Sequence, residues 1–121
     1  MGKMSRNKGA AGERELAKKL ELALGLEKGT LYRSQQFCGR GGDHGDVLGL
    51  DGVHVEAKRT ERFNLYAALE QAINDAGDNV PVVFTRKNLQ PWVAVVEIEN
   101  LPRLARLIVA IVDKEKGNND G

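Results

Sequence analysis

The stretch from Asp46 to Lys58 constrains the fold more than any other part of the chain. Val53, Val55 and Ala57 alternate with His54, Glu56 and Lys58, a period of two that marks a half-buried strand. Asp46-Val47-Leu48 supplies a partner strand, and Leu50-Asp51-Gly52 supplies the turn between them. Turn length then sets the register. A two-residue turn at Asp51-Gly52 would place Val47 opposite Glu56 and send Asp46 to the wrong face. A three-residue loop with Gly52 in the left-handed region pairs Gly49 with Val53 and Asp46 with Glu56. Only the second segregates Asp46, His54, Glu56 and Lys58 from Val47, Val53, Val55 and Ala57, so the longer loop is expected. Directly opposed side chains in such a pair have Cβ atoms about 5 Å apart.

Two carboxylates that close repel each other unless a cation lies between them. Hard oxygen donors with open positions suit Mg²⁺, which takes one or two carboxylates together with waters and substrate phosphate. Lys58, two residues further along the same face, could orient a water or neutralise charge growing on a phosphate. A solvated hairpin face carrying mixed charges accounts for this stretch equally well.

A chain of 121 residues is long enough for one domain with one core, and its apolar and charged content is that of a globular protein. The single cysteine, Cys38, allows no internal disulfide, which fits a reducing cytoplasm. The longest apolar run, Leu104 to Val112, contains Arg106 and is too short to span a bilayer; no secretion signal is evident. Net charge is +1, but unevenly spread. Residues 1–40 hold nine Lys/Arg against four acids, a net of +5, and the remainder carries −4. A basic end beside an acidic metal site fits a polyanionic ligand touching both, while a solubilising N-terminus explains Lys3 to Lys8 equally well.

Residues 1–9 are expected to be loose, and so are residues 116–121. A helix is expected from about Ala10 to Leu24, with Leu16, Ala17, Leu20 and Leu24 at helical spacing. Glu13 lies on that apolar stripe and Glu15 does not. A carboxylate on a core-facing side wants a cation or a partner; the competing reading is a first-turn acid favoured by the helix dipole. Leu31 to Phe37 reads as a polar strand. Cys38 to Gly45 follows, with four glycines in eight residues and no fixed shape. Arg40 in that loop could close over a phosphate backbone, and His44 reads as a phosphate contact or a solvated loop residue. Beyond the charged turn Arg59-Thr60-Glu61-Arg62, Asn64 can cap a helix from Leu65 to Ala76, buried along Leu65, Ala68, Leu69, Ala72, Ile73 and Ala76. Gln71 flanks that stripe, where it either reaches the site or sits in solvent. Val80 to Phe84 reads as a buried strand and Trp92 to Ile98 as another, with Trp92 a packing residue more than a stacking platform. A last amphipathic helix begins near Leu101. The order predicts one mixed sheet flanked by helices.

At this point the residues resemble the PD-(D/E)XK nuclease superfamily, and within it the small Holliday junction resolvases of archaea and phages. Gly12-Glu13-Arg14-Glu15-Leu16 looks like the N-terminal helix motif. Arg33, a Gly-rich loop and Asp46-Val47 look like the next segment. Val55-Glu56-Ala57-Lys58 looks like the signature strand, and Gln71 falls where many members carry a helical glutamine. The likeness runs from about Gly9 to Phe84. It implies an α/β, restriction-endonuclease-like αβββαβ core making a single nuclease domain over residues 1–121. It also implies a Mg²⁺-dependent endonuclease, with Mn²⁺ substituting. Asp46, Glu56 and the Ala57 carbonyl would ligate the ion, Glu13 a second ion or a water, and Lys58 would position the attacking water. Arg33, Ser34, Arg40, Gly41, Gly42, His44, Arg59 and Gln71 are the candidate DNA contacts. Symmetric junction cutting implies a homodimer. The residue before Asp46 is Gly45 where the family often has proline, and Arg40-Gly41-Gly42 replaces the Ser-Gly-Gly of archaeal resolvases. Alternatives are a nicking or single-strand-specific phage nuclease of the same fold, and a nucleic-acid-binding module without the chemistry.

Overall fold

The computed structural model describes residues 2–34, 46–62 and 64–120. The elements run α1 (Gly2–Leu24), β1 (Tyr32–Arg33), β2 (Val47–Leu48), β3 (Val53–Arg59), α2 (Leu65–Ala76), β4 (Val80–Arg86), β5 (Val93–Val95) and α3 (Leu101–Asp120), with a short 3-10 turn, Ile98–Asn100, leading into α3. The αβββαβ order expected from the sequence is therefore present. The five strands form one mixed sheet in the order β1-β2-β3-β4-β5. Only β3 and β4 are parallel, joined through α2; the other neighbours are antiparallel.

The hairpin turn takes the longer form. Val53 N–H donates to Leu50 O at 3.1 Å, Gly52 adopts φ +81°, and Val47 pairs with Val55. That pairing continues the register in which Gly49 faces Val53. At Asp46 the ladder departs from it: Asp46 N–H donates at 2.7 Å to Val55 O, although Val55 is already the partner of Val47. Two residues thus oppose one, as at a bulge, and Asp46 is displaced from the expected position across from Glu56.

β3 is buried on both faces over Val53–Glu56, not half-buried as its alternation suggests. The reason lies in its neighbours. Val53 and Val55 pack into a cluster with Leu16 and Ala17 of α1, Val47, Val80, Val82 and Phe84. Glu56 pairs in register with Val83, which packs beneath Ala68, Leu69 and Ala72 of α2. Helices therefore cover both faces, as a parallel crossover requires. Pro81 is tolerated inside β4 because β5 pairs only with Val83, Phe84 and Thr85, leaving no antiparallel ladder for the proline to break.

Several boundaries move. α1 starts at Gly2 and α3 reaches Asp120, so helix occupies both ends where loose residues 1–9 and 116–121 are expected. β1 is only two residues long; Gln35, Gln36 and Phe37 lie outside the described residues. β5 is only three residues, and the chain expected to continue as strand to Ile98 turns into a 3-10 helix instead. Ile73, placed on the buried stripe of α2, is 41% exposed. The cap is as expected: Asn64 Oδ1 accepts from Ala67 N–H at 3.1 Å. Among the described residues, no helix is long and apolar enough to cross a membrane.

Candidate functional site

The site forms where α1 meets the β2–β3 hairpin. Gly12 is what lets the helix approach. A Cβ there would lie 2.7 Å from Arg59 Cβ, so any larger residue would push α1 off β3. The next residue is Glu13. Because α1 begins at Gly2, Glu13 sits mid-helix, and the first-turn reading of this acid no longer applies. Its side chain is 21% exposed and its Oε1 accepts from Arg33 Nε at 2.7 Å. Arg33, a candidate DNA contact, is thus an ion-pair partner of Glu13.

Asp46 Oδ2 accepts the Ala57 N–H at 2.7 Å, so its carboxylate lies along the Glu56–Ala57 backbone. The N–H and C=O of one strand residue point to the same side. The Ala57 carbonyl therefore faces Asp46 as well. Burial pushes the Asp46 carboxyl up to about 6; the Ala57 hydrogen bond opposes the rise, the Glu56 and Glu13 charges add to it, and Lys58 opposes it. The Asp46 carboxyl thus feels the charges of Glu56, Glu13 and Lys58.

Glu56 is 4% exposed. Its Oε1 lies 3.1 Å from His54 Nε2 and its Oε2 lies 3.8 Å from Lys58 Nζ. A carboxylate only accepts, so the His54 Nε2 carries the proton in this pair. Lys58 Nζ also donates to Gln71 Oε1 at 3.4 Å, so Gln71, though exposed, reaches Lys58. Arg59 donates through Nη1 to Asn88 Oδ1 at 2.9 Å. Ser34 lies at the edge, its N–H on Asp46 O at 3.0 Å. Arg40, Gly41, Gly42, His44 and Cys38 lie outside the described residues.

The donor set fits a hard divalent cation. Asp46, Glu56 and the Ala57 carbonyl are all oxygen donors; burial raises Asp46 first, the Glu56 and Glu13 charges add to the rise, and a cation between the carboxylates would relieve that added part. Glu13, held by Arg33, stands apart from that pair. Among the described residues no group of three or more His, Cys, Asp and Glu side chains is arranged to hold an ion, so the fit rests on two carboxylates.

The displaced titration of Asp46 gives a stability prediction with a definite sign. Its folded pKa lies above the ordinary 3.8, so between about 4 and 6 the folded state holds the proton more tightly than the unfolded one. Stability from this group is full at low pH and is lost as pH rises through 6. Asp46→Asn removes the buried charge and is expected to stabilise the metal-free protein by about 1–3 kcal/mol at pH 7.5. Urea melts at pH 7.5, 6 and 4.5 should show the gain shrinking towards zero; a gain independent of pH would contradict the assignment.

Two groups at the site's border escaped the sequence. His54 lies two residues before Glu56 on the same strand face, a spacing that permits the contact, but the alternation alone does not assign it that role. Glu15 bonds Trp92 Nε1–H at 2.7 Å and pairs with Arg86. Burial pushes its carboxyl up, but these bonds and the Arg86 and Arg59 charges hold it below the usual range. Trp92 is thus a packing residue with a tethered ring nitrogen, as its position suggested. Glu21, buried at 7% exposure, braces the exit from α1 by accepting the Gly29 and Leu31 N–H groups, each at 2.9 Å.

A scan against protein-family models, a search of curated proteins and a search of solved structures each returned no match to this chain.

Proposed function

We propose that this chain is a metal-dependent DNA endonuclease of the PD-(D/E)XK type, cutting phosphodiester bonds in branched DNA such as Holliday junctions. The observation that carries the reading is the meeting of Asp46, Glu56 and Lys58 on one hairpin, with Glu13 brought alongside by α1. Asp46, Glu56 and the Ala57 carbonyl would hold Mg²⁺, or Mn²⁺ in its place. The ion, when bound, supplies charge neutralisation at the attacking and leaving oxygens of an in-line displacement. Lys58 donates to a phosphate oxygen or orients the attacking water. Its ammonium is steered for this by Gln71 and Glu56 together. His54 fixes the rotation of the Glu56 carboxylate by binding Oε1, leaving Oε2 towards Lys58. Arg33, itself 40% exposed, keeps Glu13 pointed at the site and offers its remaining donors to DNA.

Two matched incisions in a junction call for a twofold homodimer in the cytoplasm. Leu101 of α3 and Val93 of β5 offer exposed apolar surface for it, at 47% and 49% exposure.

Labelled four-way, forked and linear duplex DNA, each with Mg²⁺ or EDTA, tests the reading. Cutting of the four-way substrate with Mg²⁺ alone is the expected result. Equal cutting of linear DNA would remove the junction preference and leave a less selective nuclease of the same fold. Binding without cutting would make the chain a nucleic-acid-binding module.

A further inference from the structure

Beside the acids, on the far side of Lys58, lies a second cavity of about 320 Å³, lined by Lys58, Thr60, Arg62, Asn64 and Gln71 among others. Its chemistry differs from that of the acid cluster. It is lined by two cations and no acid. The one acid of the adjoining turn, Glu61, is occupied elsewhere, its Oε2 accepting from Asn88 N–H at 2.7 Å. Thr60 Oγ1 holds the turn by donating to Arg62 O at 3.1 Å and accepting from Arg62 N–H at 3.4 Å, which fixes where the Arg62 side chain departs. Gln71 spends its carbonyl on Lys58, so its amide N–H groups remain as donors at the cavity wall. The first turn of α2 carries no acid, so its positive end faces this space uncompensated by charge.

We propose that this cavity is a binding site for a backbone phosphate of a nucleic acid strand, one that flanks the phosphate placed at Asp46 and Glu56. The proposal rests on the nuclease reading for which phosphate is cut, but the cavity's preference for an anion stands on its own lining. Lys58 belongs to both places, with Glu56 Oε2 at 3.8 Å on one side and the cavity on the other. It therefore marks the path a strand takes from one phosphate to the next. Arg62 supplies the planar fork that matches a phosphodiester, and Thr60, Asn64 and Gln71 surround it with neutral polar groups. None of these contacts reads a base, so the site positions a strand without regard to sequence.

The test uses the full chain and an oligonucleotide with a neutral methylphosphonate at one position near the cut. Arg62 is exposed, so Arg62→Gln should fold normally. It is expected to weaken DNA binding in EDTA, to raise KM in Mg²⁺, and to reduce the slope of log affinity against log salt by about 1. In the wild type, one methylphosphonate adjacent to the scissile position should reproduce that loss, and in Arg62→Gln the same substitution should cost nothing more. Wild-type affinity and salt slope in Arg62→Gln, or losses that simply add, would overturn the subsite. Wild-type protein that binds but does not cut would overturn the nuclease reading instead, and the binding data in EDTA would still decide the subsite.

Discussion

If the proposed nuclease reading holds, Glu56→Gln is expected to reduce DNA cleavage by about 100- to 1,000-fold, the range that losing one electrostatic contact at a reacting centre costs. The substitution keeps the shape of a side chain that is 4% exposed and leaves an acceptor for His54 Nε2–H. Loss of activity would then report loss of a charged ligand and not loss of the fold. DNA binding in EDTA should survive, because the residues proposed to meet phosphates are other ones. A second signature separates this outcome from simple damage. The Glu56 charge helps hold the Asp46 carboxyl up near 6, so in Glu56→Gln that carboxyl should titrate lower. NMR titration of Asp46 measures the shift. Normal cleavage by Glu56→Gln would mean that the candidate site is misassigned.

The largest stability effect is expected from Leu16→Ala. Leu16 is 1% exposed and lies in the cluster with Val47, Val55, Val80 and Val82, between α1 and the sheet. Truncation leaves a cavity that the strands cannot fill, since β3 is held by partners on both edges. Losses of about 3–5 kcal/mol are usual for such a leucine. In a chain of this size that lowers Tm by about 12–20 °C. Thermal melts check the number. A drop of under about 1 kcal/mol would mean that α1 is not seated on the sheet, and Glu13 would then lose its place at the site. Because Leu16 follows Glu13 by one helical turn, the variant should also lose activity below its own Tm.

What the sequence disclosed, and what it concealed, follows from the range of the interactions involved. The hairpin register was legible because turn chemistry and alternation are local: Gly52 needs a positive φ, and only one loop length sorts the charges from the valines. The Asn64 cap was legible for the same reason. Glu13 stood out as a carboxylate on an apolar stripe in want of a partner, and it finds one in Arg33. The start of α1 was hidden because residues 2–8 have no apolar stripe to announce a helix; once a helix is nucleated further along, extending it costs little. Burial of β3 on both faces was hidden because the covering comes from other elements, α1 on one face and α2 on the other, which no spacing within β3 announces. The bulge at Asp46 was hidden too, since only the bond from its own N–H to Val55 O reveals it. Glu15 acquires its partners, Trp92 and Arg86, through tertiary approach, which a single sequence does not encode by spacing.

The parallel pairing of β3 with β4 has a consequence for how the protein is made. Every acid proposed for the reaction is translated before residue 59, yet the strand bearing Glu56 gains its second edge only when Val80–Arg86 arrives. Contacts so distant in sequence form late. A nascent chain ending before β4 would carry the carboxylates without the frame that fixes their spacing. On the nuclease reading proposed above, the site would be completed only once synthesis has passed β4.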